Sequence, residues 1–209
     1  MTTADPHAGA PDAALQARPA TAERILDVAA RLVQLRGFNG FSYADIAAEL
    51  AITNAAVHYH FKSKEDLGLN LVERYSKEFL GALNAIREKR ADSVSQLDRY
   101  VQLYEDVAAG GRMCLCGMLI AEIDTMPASI SERLSAIMET NENWLAQTLE
   151  QGRARGELAF PGEAGPTAAA LAALLQGALL LAKTRGGAEQ FRSTAAAGVE
   201  ALYVKTTPR

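Results

Sequence analysis

Three small sets of side chains in this chain have the types and spacing to do chemistry. Cys114 and Cys116 are the only thiols and lie two positions apart. His58 and His60 repeat that spacing, and His7 is the only other imidazole. The third set runs through Thr53, Asn54, Ala55, His58, Tyr59 and His60 to Lys62 and Lys64. It mixes amide, hydroxyl, aromatic and cationic groups. That mixture suits DNA: asparagine pairs bidentately with adenine, alanine meets a thymine methyl, and cations hold phosphates without reading sequence.

The first two sets are poor metal sites. Structural zinc normally takes four ligands, the chain has no second cysteine pair, and His-x-His has no third ligand nearby. No metal and no cofactor is expected. A disulfide between residues two apart is strained, because on a helix their side chains point about 200° apart. Two readings of the thiols remain. In one, both are small core residues. In the other, at least one senses an oxidant or an electrophile, since Cys114 lies near a predicted helix N-terminus beside Arg112, and both features lower a thiol pKa. A thiol-based enzyme competes with these, but no base-nucleophile pair can be read, because His58 and His60 belong to a different segment.

The elements that position these residues are helices. Ile25, Val28, Ala29, Leu32 and Val33 recur at helical spacing, and Gly37 stops that first helix. Ser42-x-x-Asp45 is a capping box for a second, Thr53 caps a third, and Ser63-x-x-Asp66 opens a long fourth that runs to about Lys89. The second and third meet at Ala51-Ile52-Thr53, an arrangement that fits a helix-turn-helix. Further on, Ser93-x-x-Gln96 opens a fifth helix, a short sixth covers Cys114 to Ile123, and Ser129-x-x-Glu132 opens a seventh. Pro166 suits the first turn of an eighth, and Gly186-Gly187 separates it from a ninth. The expected fold is all-α with nine helices in two domains. Residues 1–19 read as a disordered tail, 20–66 as a helix-turn-helix head, and 67–205 as a ligand-binding and dimerisation body.

Composition narrows the class. Of the 209 residues, 49% are hydrophobic, which marks a globular chain. Net charge is −4, and residues 21–66 hold five Lys/Arg against six Asp/Glu. The DNA reading therefore rests on the motif rather than on a basic surface. No signal peptide is visible, and two closely spaced cysteines point to a reducing cytoplasm. The most apolar run, 168–182, has 15 residues, short of the roughly 20 that a membrane span needs. A helix apolar nearly all round must be covered on every side. Pairing of the last two helices with those of a second copy, in a four-helix bundle, would cover it.

The stretch from Arg24 to Leu67 resembles the DNA-binding head of the TetR/AcrR family of bacterial transcriptional regulators. The match is carried by Ala29-Ala30-Arg31-Leu32, Gly37-Phe38, Ser42-Tyr43-x-x-Ile46-Ala47, AAVHYHF from Ala55 to Phe61, and KSKEDL from Lys62 to Leu67. The resemblance implies that Asn54–Phe61 is the recognition helix, with Thr53, Asn54 and Ala55 nearest the bases. It gives His58 and Tyr59 phosphate and base contacts, Tyr43 a backbone contact, and Lys64 a phosphate. His60 is read either as an interface residue or as a brace for that helix. His58 departs from the commoner tyrosine, and Ala44 stands where some members place a base-reading arginine. Two interfacial histidines predict pH-dependent binding.

The segment Cys114-Leu115-Cys116-Gly117-Met118-Leu119-x-x-Glu122 also resembles a C-L-x-G-x-L-x-x-E subset of the family, some of which respond to electrophiles. Expected effector residues are Cys114, Cys116, Tyr104, Met118, Glu122, Asn141 and Trp144, with Tyr100 and Met138 as further candidates. The implied partners are a palindromic double-stranded DNA operator, a second copy of the chain, and a small-molecule or electrophile inducer. A helical dimer that binds small molecules or proteins without DNA is the remaining alternative.

Overall fold

The computed structural model describes residues 20–204; the segment 1–19, expected as a tail, lies outside the described residues. Three helices form the head: α1 (Ala20–Arg36), α2 (Tyr43–Leu50) and α3 (Asn54–His60). Ile25, Leu26, Ala29, Leu32 and Val33 from α1 meet Ile46 and Ala47 from α2 and Val57 from α3 in a buried core, which Phe38, Phe41 and Phe61 close. The caps are local and strong. The Ser42–Asp45 capping box starts α2, and the Thr53 hydroxyl accepts from Ala56 N at 3.1 Å at the start of α3. Ala51, between α2 and α3, takes the left-handed conformation at φ 53°.

Helix α4 (Lys64–Lys89) begins where Ser63 Oγ accepts from Asp66 N. At 26 residues it spans about 39 Å and reaches from the head into the body. There α5 (Ser93–Ala109), α6 (Leu115–Ala121), α7 (Ala128–Ala154), α8 (Ala164–Thr184) and α9 (Gly187–Val199) complete nine α-helices among the described residues. Single 3-10 turns follow α6 and α9, at Ile123–Thr125 and Glu200–Leu202. Helix α6 starts at Leu115, with Cys114 as its cap rather than its first residue, and two further helix starts differ from the sequence reading. Asp92, not Ser93, caps α5, accepting from Ser95 N at 2.7 Å. Helix α7 starts at Ala128 behind Pro127, which places Ser129 inside the first turn, where its hydroxyl donates to Glu65.

Helix α7 packs on α4 and α8, and α9 lies against α8 and α5. Close approach of α8 and α9 depends on Gly198, where a Cβ would sit 2.3 Å from Leu174 Cδ1. Helix α8 is longer than the 15-residue apolar run within it. Its 21 residues are long and apolar enough, by length and composition, to cross a membrane. In the fold Leu171, Ala172, Leu175, Ala178 and Leu179 face the core, while Leu180 and Leu181 remain 60% and 42% exposed.

Candidate nucleic-acid interface and effector cavity

Helix α3 presents one apolar side chain inward, Val57, and leaves Thr53, Asn54, Ala55, His58 and Tyr59 exposed. Tyr59, 74% exposed, is the most exposed large hydrophobic side chain among the described residues. Lys62 lies beside it, its ammonium 5.3 Å from the Tyr59 ring centre and 3.1 Å from the Tyr59 carbonyl. His60 is half-buried, with its ring edge-on to Tyr59. Thr53, Asn54, Ala55, His58 and Tyr59, with Lys62 beside them, make up the exposed row of α3.

Tyr43 and Lys64 are held inside the head. The Tyr43 side chain is buried, and its hydroxyl lies 3.1 Å from the Phe61 carbonyl and 2.5 Å from the Ser63 carbonyl. Burial, reinforced by the Asp66 charge, pushes this phenol up to about 12, so it stays a neutral donor that ties α2 to the α3–α4 junction. The Tyr43 ring also packs on His58, 4.6 Å between centres. The Lys64 ammonium donates to the Phe41 carbonyl and lies 5.0 and 4.5 Å from the centres of the Phe38 and Phe41 rings. Burial pulls its pKa down, against the charges of Glu122 and Asp45. Elsewhere in the head, Arg31 pairs with Glu49 and Arg36 with Asp45, which leaves Lys62 as the cation nearest the exposed row.

In the body, a cavity of about 210 Å³ opens between α4 and α5, lined by Tyr75, Glu78, Phe79, Ala82, Leu103, Tyr104, Val107 and Cys114. Its wall is mostly apolar, with a few polar groups converging, as small-molecule sites usually are. The Tyr75 and Phe79 rings stack, 5.7 Å apart and 8° from parallel. Tyr104 Oη is 3.1 Å from Tyr100 Oη, which donates to Asn141 Oδ1 at 2.9 Å. Trp144 stacks on Tyr100 from the far side, and its indole N–H has no hydrogen-bond partner among the described residues. Asn141 and Trp144 thus support the cavity from behind without lining it. Burial holds Tyr75 and Tyr104 well above the usual phenol range and Tyr100 at about 12, so all three act as neutral hydroxyls.

The thiols do not sit as helix periodicity implied. Cys114 is the cap of α6, with extended-type backbone (φ −57°, ψ 133°), so it does not follow the helical rotation that would have turned it away from Cys116. Cys114 Sγ lies 3.7 Å from the Tyr75 hydroxyl. Both are free and buried, but only Cys114 lines the cavity. Burial, with the neighbouring Cys114, pushes the Cys116 thiol far up against the Tyr75 hydrogen bond, so at neutral pH it is a protonated, poor nucleophile. Arg112 is engaged elsewhere, donating to Gln34 Oε1 on α1 at 3.2 Å. Neither Met118 nor Met138 lines the cavity.

Glu122 is the clearest departure from expectation. It was grouped with the effector residues, yet its carboxylate is turned away from the cavity and accepts from the Phe38 and Asn39 amides of the head. Sequence reasoning also missed Tyr75, Phe79, Glu78 and Leu103 as cavity residues. Tyr75 and Phe79 had been visible only as part of the inward stripe of the fourth helix.

Comparison with known proteins agrees with this architecture. Residues 25–70 match the family described as bacterial regulatory proteins, tetR family, and residues 94–197 match the tetracyclin repressor-like C-terminal domain. The transcriptional regulator AcuR of Cereibacter sphaeroides is 26% identical over 179 residues, 84% of this chain and 80% of its own. The HTH-type transcriptional repressor NemR of Escherichia coli (strain K12) is 26% identical over 171 residues, 78% of this chain and 84% of its own. A solved TetR-family transcriptional regulator from Agrobacterium tumefaciens superimposes with a TM-score of 0.83 at 32% identity, covering 88% of this chain and 97% of that one. The family is one of transcription regulators, not enzymes. With its head and body both matched and its nine helices in the same arrangement, this chain belongs to the TetR family of bacterial transcriptional regulators.

Proposed function

We propose that the protein is a homodimeric repressor that binds a palindromic DNA operator and is released when a small molecule or electrophile occupies the cavity beside Cys114. The observation that carries the reading is the exposed row on α3, from Thr53 and Asn54 through His58 to Tyr59, on a helix whose other face is fixed by the buried Val57. Two such rows would read successive major grooves roughly 34–36 Å apart, or a multiple of that distance. Thr53, Asn54 and Ala55 are assigned to base edges. His58, Tyr59 and His60 are assigned to bases and phosphates. Lys64 is assigned to a phosphate, for which its ammonium leaves the Phe41 carbonyl. Tyr43 serves the interface by fixing the α3–α4 junction. Residues 20–66 form the reading head and 67–205 the body, in a protein working in the cytoplasm.

The second copy docks through α8 and α9. The exposed Leu180 and Leu181, with the small Ala169, Ala170, Ala173 and Ala197 on the same two helices, supply an apolar face that a second copy covers. The effector is a compact, largely apolar molecule. An activated alkene adds to Cys114 with formation of an S–C bond, the thiol proton ending on the neighbouring carbon. NemR is a repressor among the relatives, which favours repression here.

The test is selection of duplexes from a random-sequence library by the purified protein, followed by affinity measurements with Asn54→Ala and His58→Ala. A recovered palindrome whose affinity falls in both variants is expected. Recovery of no palindrome, or affinities insensitive to both substitutions, overturns the assignment. Addition of N-ethylmaleimide to the complex should release wild-type protein but not Cys114→Ser.

A further inference from the structure

Among the contacts between head and body is a carboxylate that neither the recognition row nor the cavity uses. Glu122 ends α6, and its Oε2 accepts two hydrogen bonds from the turn between α1 and α2, from Phe38 N at 2.8 Å and Asn39 N at 3.1 Å. Successive amides converge on one oxygen here because Gly37 is left-handed, at φ 83°, and turns the following N–H groups to the same side. Gly37 is needed for a second reason. A Cβ at that position would lie 2.3 Å from Glu122 Oε1, so any side chain would displace the carboxylate.

The surrounding contacts extend the joint. Asn39 Nδ2 donates to Thr125 Oγ1 at 2.9 Å, and that hydroxyl donates back to the Glu122 carbonyl at 2.8 Å. At the other end of the same body segment, Met113 N donates to the Gln34 carbonyl at 3.2 Å. Lys64 holds the turn from the opposite side through the Phe41 carbonyl and the Phe38 and Phe41 rings, and the Glu122 charge acts on its ammonium. The turn 37–41 is therefore gripped by the body through Glu122 and by the DNA-facing start of α4 through Lys64.

We propose that Glu122 is a positioning residue for DNA binding: its carboxylate, seated on the Phe38 and Asn39 amides, fixes the angle of each head on its body and so the separation of the two heads. This rests on the operator-binding reading above. The donors are backbone groups at a partly exposed turn, where water replaces the carboxylate at little cost to folding. What is lost with Glu122 is the restraint. A head free to swing must be ordered when two half-sites are engaged together, but not when only one is.

That difference supplies the experiment. The palindromic duplex selected by the wild-type protein and a duplex carrying one of its half-sites are titrated with wild type, Glu122→Ala, Glu122→Gln and Gly37→Ala, using fluorescence anisotropy. Glu122→Ala and Gly37→Ala are expected to weaken palindrome binding by about tenfold or more, within the range of typical site-to-site coupling, while half-site binding is unchanged. Glu122→Gln keeps one oxygen on the two amides and should restore most of the palindrome affinity. Equal loss on both duplexes, or no loss on either, overturns the proposal. So does failure of both Glu122→Ala and Gly37→Ala to fold, which would make the contact one of stability. Absence of wild-type binding to any palindrome would instead refute the operator reading.

Discussion

Replacing Leu180 and Leu181 together by alanine tests the two-fold interface with a magnitude that the structure sets. The two side chains are 60% and 42% exposed in one chain, about one whole leucine surface left in water. Fully burying a leucine is worth about 1.5–3 kcal/mol, and two-fold symmetry counts each loss twice. If α8 pairs with its copy, the double variant therefore destabilises the dimer by about 3–6 kcal/mol, or roughly 100-fold to 10,000-fold in dissociation constant at 1.4 kcal/mol per decade. Alanine keeps the helix, and neither leucine belongs to the buried core, so the monomer fold should persist. Sedimentation across a dilution series reads the dissociation constant, and circular dichroism confirms helicity. A shift below about tenfold would show that these leucines are not at the interface and refute the argument from exposure.

Two other substitutions and a labelling experiment probe the head and the thiols. Lys64→Ala should weaken binding to every duplex and reduce the salt slope by about 0.9 if the ammonium reaches one phosphate; an unchanged slope in salt titrations would remove that contact. Tyr43→Phe deletes the hydroxyl shared by the Phe61 and Ser63 carbonyls. It should cost about 1 kcal/mol, seen as a melting temperature roughly 2–4 °C lower, and a variant melting with the wild type would show that these bonds contribute nothing. N-ethylmaleimide followed by peptide mass spectrometry should label Cys114 before Cys116. Because burial raises the Cys116 pKa, its thiolate fraction is below that of an ordinary thiol at neutral pH and grows as pH rises, so its labelling should accelerate only in strongly alkaline solution. Faster labelling of Cys116 near pH 7 would reverse the assignment.

What could be read from the sequence was what is local. The caps at Ser42, Thr53 and Ser63 are decided within four residues, and the structure has all three. The helical periodicity of α1 and α4 likewise depends only on neighbours. The cap of α5 slipped by one residue and that of α7 by two, because Asp92 and Pro127 sit ahead of serines that also resemble caps. The cavity could not be read, since Tyr75 and Phe79 carry the same spacing as core residues, and only the divergence of α4 from α5 decides which of them line a space. Cys114 and Cys116 were separated by a helical rotation that holds only if both are in the helix. Glu122 was misplaced for a plainer reason: its partner Phe38 is 84 residues away, and that partner is an amide present at any residue but proline.

That last point bears on how such regulators can be recombined. On the head side, the Glu122 carboxylate meets only main-chain donors beside one glycine, while Asn39 adds a side-chain bond to Thr125. A head of different DNA preference grafted onto this body must keep a left-handed glycine ahead of the two amides, and also Gln34, Asn39 and Glu65, whose side chains bond Arg112, Thr125 and Ser129. The body, conversely, must keep a glutamate at the end of α6, the same short helix whose cap, Cys114, lines the cavity.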